Sequence, residues 1–167
     1  MKKWILIMAG LLGLDQLTKF LVASNESNFA IIKDVLHVTY IRNHGLVFGF
    51  FQGATSTHRT LLAILALISL LIFSYLFSRI DFKDKRTFWL SLSFSLLIAG
   101  TLGNAIDRLF QPDHGVIDFI DFKGFGSLWT YVFNFADVYL NVGLVIFFID
   151  VFFLEKKRVE MNDRSDA

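Results

Sequence analysis

The sequence predicts a mainly α-helical membrane protein with four spanning helices, and three observations predict it. Of its 167 residues, 54% are hydrophobic and 16% aromatic, whereas an ordinary soluble domain is roughly 45–50% apolar even with glycine counted. Four apolar runs, residues 4–23, 61–80, 88–109 and 138–154, meet or approach the length a membrane helix needs. That length is about 20 residues, because the hydrocarbon core is about 30 Å thick and each residue rises about 1.5 Å. Basic residues then gather on one side of these runs. Twenty Phe are more than a core of this size can hide, so much of the apolar surface must face lipid. With no Cys, the chain has no disulfide framework, thiolate nucleophile or thiolate metal site. The net charge of +1 identifies no partner, because its distribution matters more than its sum.

The first run, 4–23, follows Lys2 and Lys3 and ends near Val22-Ala23-Ser24, features a cleaved signal peptide also has. Its length and the charges of Asp15 and Lys19 within it favour a retained span, since a signal core is short and uniformly apolar. Residues 24–60 form the first outer loop. The stretch Ile31-Ile32-Lys33-Asp34-Val35-Leu36-His37-Val38-Thr39-Tyr40-Ile41 is rich in β-branched and aromatic residues, as strands are. Asn43-His44-Gly45 then supplies a turn signal. A small β-structure lying on the outer leaflet is expected here. The second and third runs are joined by a short basic connection with Arg79, Lys83, Lys85 and Arg86. Residues 110–137 form the second outer loop. The fourth run, 138–154, is slightly short, which tilt accommodates. The tail, 155–167, is charged and expected to be disordered.

Orientation follows the basic residues of the short flanks. Lys2, Lys3, Arg79, Lys83, Lys85, Arg86, Lys156, Lys157, Arg158 and Arg164 make ten on one side, against Lys33, Arg42, Arg108 and Lys123 on the other. Both termini are therefore expected in the cytoplasm and both longer loops outside. The polar residues of the spans then fall into one outer layer. Asp15 and Lys19, at i and i+4, share a helix face and can pair. Asn104, Asp107 and Arg108 lie in the last turns of the third run, with Gly100 and Gly103 small enough to let another helix close in. Asp137 stands at the mouth of the fourth run, and Asp118 in the loop just before it.

Ionisable groups at membrane depth are expensive and point to function by default. Two readings remain open for several of them. Asp15–Lys19 and Asp107–Arg108 also suit neutralised structural pairs. Asn104 and Asn134 also suit interhelical bonding or helix capping, and Asp137 a partner for the helix dipole. Asp113 reads as loop solvation, and Asp121 is a rival to Asp118. The four His lack metal-ligand spacing, and the basic tail reads as an anchor to anionic lipid. The reactive inventory is then carboxylate, Lys, Arg, Asn and hydroxyl. Two aspartates in contact share a proton and titrate as a unit. One carboxylate takes a proton from water while the other, protonated, polarises a carbonyl, which is amide hydrolysis. Asn134 or Asn43 suits a substrate backbone or an oxyanion. A proton- or ion-conducting protein is the alternative, although the inner halves of the spans carry little charge to line a path.

These residues resemble lipoprotein signal peptidase (signal peptidase II), an aspartic peptidase family of bacterial inner membranes. The resemblance rests on Asp15-Gln16-Leu17-Thr18-Lys19, on Asn43-His44-Gly45 running to Phe48-Gly49, and on Gly103-Asn104-Ala105-Ile106-Asp107-Arg108. Val116-Ile117-Asp118-Phe119 and Phe133-Asn134-Phe135-Ala136-Asp137 complete it, in the family's order. It implies that Asp118 and Asp137 are the catalytic pair and that Asp15, Lys19, Asn43, Gly45, Asn104, Asp107, Arg108 and Asn134 shape the site or contact substrate. It further implies cleavage of signal peptides from prolipoproteins just before a diacylglyceryl-modified Cys. A β-cradle and a short surface helix in the first outer loop would hold the substrate. Its partners are then a diacylated prolipoprotein and membrane lipid, with no nucleic acid, no metal or organic cofactor, and a single copy of the chain. The chain departs from the family's small-residue pattern at Ala99-Gly100-Thr101-Leu102-Gly103 and at Leu46-Val47.

Overall fold

The computed structural model describes residues 1–45, 56–124, 131–155 and 158. Four long helices form the body: α1 (Lys2–Ser24), α2 (Ser56–Ser78), α3 (Phe88–Phe110) and α4 (Phe135–Ile149), the last continuing as a π-helical turn over Asp150–Leu154. Each is long and apolar enough to cross a membrane, and the chain is a multi-pass membrane protein. The outward faces of α1, α2 and α4 expose Leu6, Phe20, Leu71, Tyr75, Val145 and Phe152, which water would penalise and lipid accepts. Because α2 begins at Ser56, Arg59 falls in its first turn and joins Lys33, Arg42, Arg108 and Lys123 as a fifth basic residue of the flank expected to lie outside. The expected charge asymmetry is thus ten to five.

At the centre of the bundle is α3, touched by the other three helices. Residues 93–101 are buried on every side, and the reason is their size. Ser93, Ser95, Ala99 and Gly100 leave room for neighbouring backbones to close in. A Cβ on Gly100 would lie 2.5 Å from the Ala136 carbonyl oxygen, so only glycine allows this approach of α4. Lower down, Ser93 Oγ donates to the Gly143 carbonyl at 2.8 Å. The end of the bundle holding the N-terminus and the α2–α3 connection is closed by aromatic packing, with Trp4 against Phe88 and Phe77 against Phe82 at ring centroids of 5.3 and 4.9 Å.

The opposite end carries a four-stranded antiparallel sheet: β1 (Asn28–Ile32), β2 (Leu36–Asn43), β3 (Val116–Asp121) and β4 (Val132–Phe133), in that order. The hairpin turn between β1 and β2 puts Asp34 at φ 58°, a left-handed conformation that short polar side chains tolerate. The sheet corrects the expectation of a β-structure confined to the first outer loop. The second loop supplies β3 and β4, so the sheet staples the two loops together. It also corrects the expectation for Asp118, which is on strand β3 and not in a loop. The β-branched run Val116-Ile117, with Phe119-Ile120 after it, is the strand signal. The expected short surface helix, with Leu46-Val47, and most of the charged tail lie outside the described residues.

Candidate active site

The start of α4 sets the geometry. A helix leaves its first N–H groups without intrahelical acceptors, and here side chains from two helices take three of them. Asn134, the N-cap, accepts from the Asp137 N–H through Oδ1 at 2.9 Å, and Asp137 Oδ2 accepts from the Asn134 N–H at 3.1 Å. These two bonds are a reciprocal capping box. The intervening Ala136 N–H donates to Asp15 Oδ1 of α1 at 2.9 Å. The capping reading left open for Asn134 is therefore realised, and Asp137, whose structural reading was a partner for the helix dipole, closes the capping box. Capping alone does not call for what surrounds them.

Lys19 is 1% exposed, and all three of its ammonium protons have acceptors: Asp15 Oδ2, Asp107 Oδ2 and Asn104 Oδ1, each at 3.0 Å. An ammonium can only donate. The Asn104 oxygen must therefore face Lys19, which turns its amide N–H toward Asp137 Oδ1, 2.8 Å away. A cation on α1 thus fixes, through an amide on α3, a carboxylate on α4. Asp107 also accepts from the Ile117 N–H of β3 at 3.1 Å, tying the sheet to the same hub. The expected Asp15–Lys19 pair forms. The alternative Asp107–Arg108 pair does not, because Asp107 is taken up by Lys19. Arg108 instead donates to the Gly45 carbonyl at 2.9 Å.

Asp118 is 2% exposed and receives two amides. Asn134 Nδ2 donates to its Oδ1 at 2.7 Å and Asn43 Nδ2 to its Oδ2 at 2.8 Å. Asn43 Oδ1 accepts from the Gly45 N–H at 2.9 Å, which fixes the Asn43 amide in the donating orientation. Both aspartates are therefore bonded to Asn134, one through its side chain and one through its backbone. Burial pushes the Asp118 carboxyl up to about 7, helped by the charge of Asp137 and opposed by the Asn43 and Asn134 amides and by Lys19. Asp121 is three residues along β3 from Asp118, so strand alternation points it to the other face. There it accepts from Thr39 Oγ1 at 2.8 Å, with Lys123 at 3.6 Å.

The structure brings all ten residues singled out from the sequence into one polar cluster at the sheet end of the bundle. Asp118 and Asp137 are both bonded to Asn134 within it, and neighbouring buried carboxyls titrate as a unit. Among the described residues no three His, Asp or Glu side chains converge as a metal site would need. Three features were not anticipated. Gln16 Nε2 donates to the Gly103 carbonyl at 3.1 Å, which locks α1 to α3. Asp150 is buried at the other end of α4 against Arg158. Asp113, expected to be solvated, instead accepts from Arg42 Nη1 at 2.9 Å and lies 3.0 Å from His44 Nε2. The Pro112-Asp113-His114-Gly115 turn is legible in sequence, but its partners on the other loop are not.

Comparison with known proteins gives a consistent neighbourhood. The family model described as signal peptidase (SPase) II matches residues 7–153. The lipoprotein signal peptidase of Fusobacterium nucleatum is 36% identical over 161 residues, covering 94% of this chain and 91% of that protein. The one from Clostridioides difficile is 39% identical over 157 residues, covering 92% and 97%. Two solved structures of a bacterial membrane enzyme, determined in meso at 2.3 and 1.9 Å, superpose with TM-scores of 0.74 and 0.72. Each is 31% identical, and they cover 90% and 92% of this chain and 88% and 94% of their own.

Proposed function

Since the chain belongs to the signal peptidase II family, we propose that it is an aspartic endopeptidase that removes signal peptides from diacylglyceryl-modified prolipoproteins. Cleavage falls on the N-terminal side of the lipidated Cys, at the extracytoplasmic face of a bacterial cytoplasmic membrane. The observation that carries the reading is the grip of Asn134 on both Asp118 and Asp137. A helix cap needs only one of these acids, and the second, Asp118, is a buried carboxyl that makes no ion pair among the described residues.

The reaction runs on one shared proton. The ionised carboxylate of the pair takes a proton from a water as its oxygen attacks the scissile carbonyl carbon. The protonated partner gives its proton to the carbonyl oxygen, so the tetrahedral intermediate is a neutral diol. Collapse of the diol breaks the C–N bond: the carboxyl proton passes to the leaving amine nitrogen while a diol hydroxyl gives its proton to the other carboxylate, so the new terminus leaves as a carboxylic acid and the pair holds one proton again. Asn43 and Asn134 orient Asp118, while Asn104, held by Lys19, orients Asp137. Asn43 at the end of β2, and Arg108 of α3, which donates to the Gly45 carbonyl, suit contacts to the substrate backbone. The two-loop sheet supports the lipidated end of the substrate close to the membrane surface.

The test is cleavage of a diacylglyceryl-modified prolipoprotein by the purified protein, with Asp118→Asn and Asp137→Asn as variants. Asn preserves shape and an acceptor for the α4 cap, so the fold should persist. Turnover should fall by about a thousandfold or more, since both proton transfers are lost. Near-normal cleavage by both variants would overturn the reading.

A further inference from the structure

Asn43 is the residue at the end of strand β2, and it points at Asp118. Beyond its pairing with Val116 the strand leaves the sheet, so the ladder holds Asn43 from one side only. The residues flanking it, Arg42 and His44, lie on the opposite face by strand alternation. A single carboxylate meets both of them. Asp113 Oδ1 accepts from Arg42 Nη1 at 2.9 Å, and Asp113 Oδ2 is 3.0 Å from His44 Nε2.

Asp113 is in turn fixed to the catalytic scaffold. It sits in the five-residue connection between α3 and β3. There its Oδ1 accepts from the Gly115 N–H at 3.2 Å, and His114, at φ 56°, places Nδ1 2.8 Å from the Arg108 carbonyl. Arg42 reaches the same turn a second time, donating to Gln111 Oε1 at 3.1 Å. Gly115 packs so closely that a Cβ there would lie 3.0 Å from His44 Nε2. The acids and amides of the site therefore have a brace on their outer side, built from the two loops.

We propose that Asp113 is a positioning residue of the peptidase: by gripping Arg42 and His44 together it holds Asn43 in line with Asp118. This rests on the peptidase reading above. The role is geometric and not energetic. The Asp113, Arg42 and His44 side chains keep roughly a third of their surface exposed (35%, 31% and 29%), and ion pairs that wet add little stability. What the grip supplies is aim, and a misplaced orienting amide costs rate.

The experiment measures turnover and the titration of the Asp118 carboxyl, the latter by carbon NMR on the folded protein in detergent. Asp113→Ala should lower kcat about tenfold, the loss of one aligned hydrogen bond, with KM within twofold and little change in melting temperature. Because the Asn43 bond pulls the Asp118 pKa down, its loosening should move the Asp118 titration to higher pH, as in Asn43→Ala. The charged groups facing Asp118 are Asp137 from α4, Lys19 from α1 and Arg108 from α3, and all remain in the variant. Adding Asp113→Ala to Asn43→Ala should cost little more. Asp113→Asn keeps an acceptor for Arg42 and a polar atom toward His44, and should restore most of the rate. Gly115→Ala, which crowds the His44 ring, should move both readouts the same way by less. Additive losses with an unmoved titration would overturn the proposal. A wild-type protein that cleaves nothing would sink the peptidase reading, while the titration would still decide whether Asp113 aims Asn43.

Discussion

The two ends of this bundle bury charge in opposite ways. At the sheet end, Asp15, Lys19, Asp107, Asp118 and Asp137 are all 8% exposed or less, and they come from three helices and a strand. Each of the five residues has at least two partners, so none is held by one bond. At the other end, among the described residues, one fully buried acid, Asp150, meets Arg158 beside packed aromatic rings. The lesson is about precision. A buried ion pair stabilises little compared with a well-packed apolar substitute, so five buried charges are not explained by stability. A network whose members fix one another's orientation makes sense where two carboxyl groups must be held to within a fraction of an ångström.

The sharpest way to break the comparison is to remove one cation at each end. Lys19→Met leaves Asp15 and Asp107 buried without their counter-charge, and should cost about 3–5 kcal/mol of stability. It should also lower turnover sharply, because Asn104 Oδ1 then keeps only the Asn134 amide, at 3.1 Å, to hold its N–H toward Asp137. Arg158→Met orphans Asp150, which is fully buried, with an expected cost of about 3–5 kcal/mol and an unchanged kcat. Reversible unfolding in detergent, with turnover measured beside it, separates the two. Equal effects on rate would dissolve the distinction drawn here.

A second pair uses glycines. A Cβ at Gly103 would meet Asp15 Oδ2 at 2.5 Å and Ala136 Cβ at 3.1 Å, whereas at Gly143 the tightest contacts are 3.1 Å. Gly103→Ala should push Asp15 off the Ala136 N–H and cost about 1–3 kcal/mol, with loss of rate. Gly143→Ala should stay within about 1 kcal/mol of wild type, because the helix-propensity gain of roughly 1 kcal/mol offsets the tighter fit. Melting temperatures and turnover of the two variants check this.

A further contrast concerns pH. Asp118 is raised from 3.8 to about 7, so the folded state binds its proton more tightly than the unfolded chain does. Its contribution to stability is fully present below pH 3.8 and is lost as pH rises through about 7. Turnover should fall over the same upper range as the pair loses its shared proton. Asp118→Asn should flatten that part of the stability profile; a profile unchanged by the substitution would remove Asp118 as the titrating group.

Much of this was legible without coordinates because lipid imposes simple rules. Helix length, the run of apolar residues and the i, i+4 spacing of Asp15 and Lys19 are local properties, and each appears in the fold as expected. Polar residues in such runs stand out because hydrocarbon tolerates so few of them. The second loop was harder. Val116–Asp121 is a strand only because β2 is there to pair with it, and a six-residue stretch with two aspartates in it does not announce its partner. Asp113 was misread for the same reason: nothing near it in sequence indicates that Arg42 and His44 come to meet it.

The sequence alone therefore determined that the chain enters the membrane four times and that its unusual side chains belong to one end of the spans. Burial in lipid forces both conclusions through composition and periodicity, whatever the packing. Only the tertiary structure decided which partner each charge takes. Lys19 chose Asp107 away from Arg108, Asn134 joined a strand acid to a helix acid, and Asp113 bridged two loops 69 and 71 residues apart in sequence. Hydrogen bonds are directional and short-ranged, so their pairing is settled by how the helices and the sheet pack and by nothing the chain carries locally.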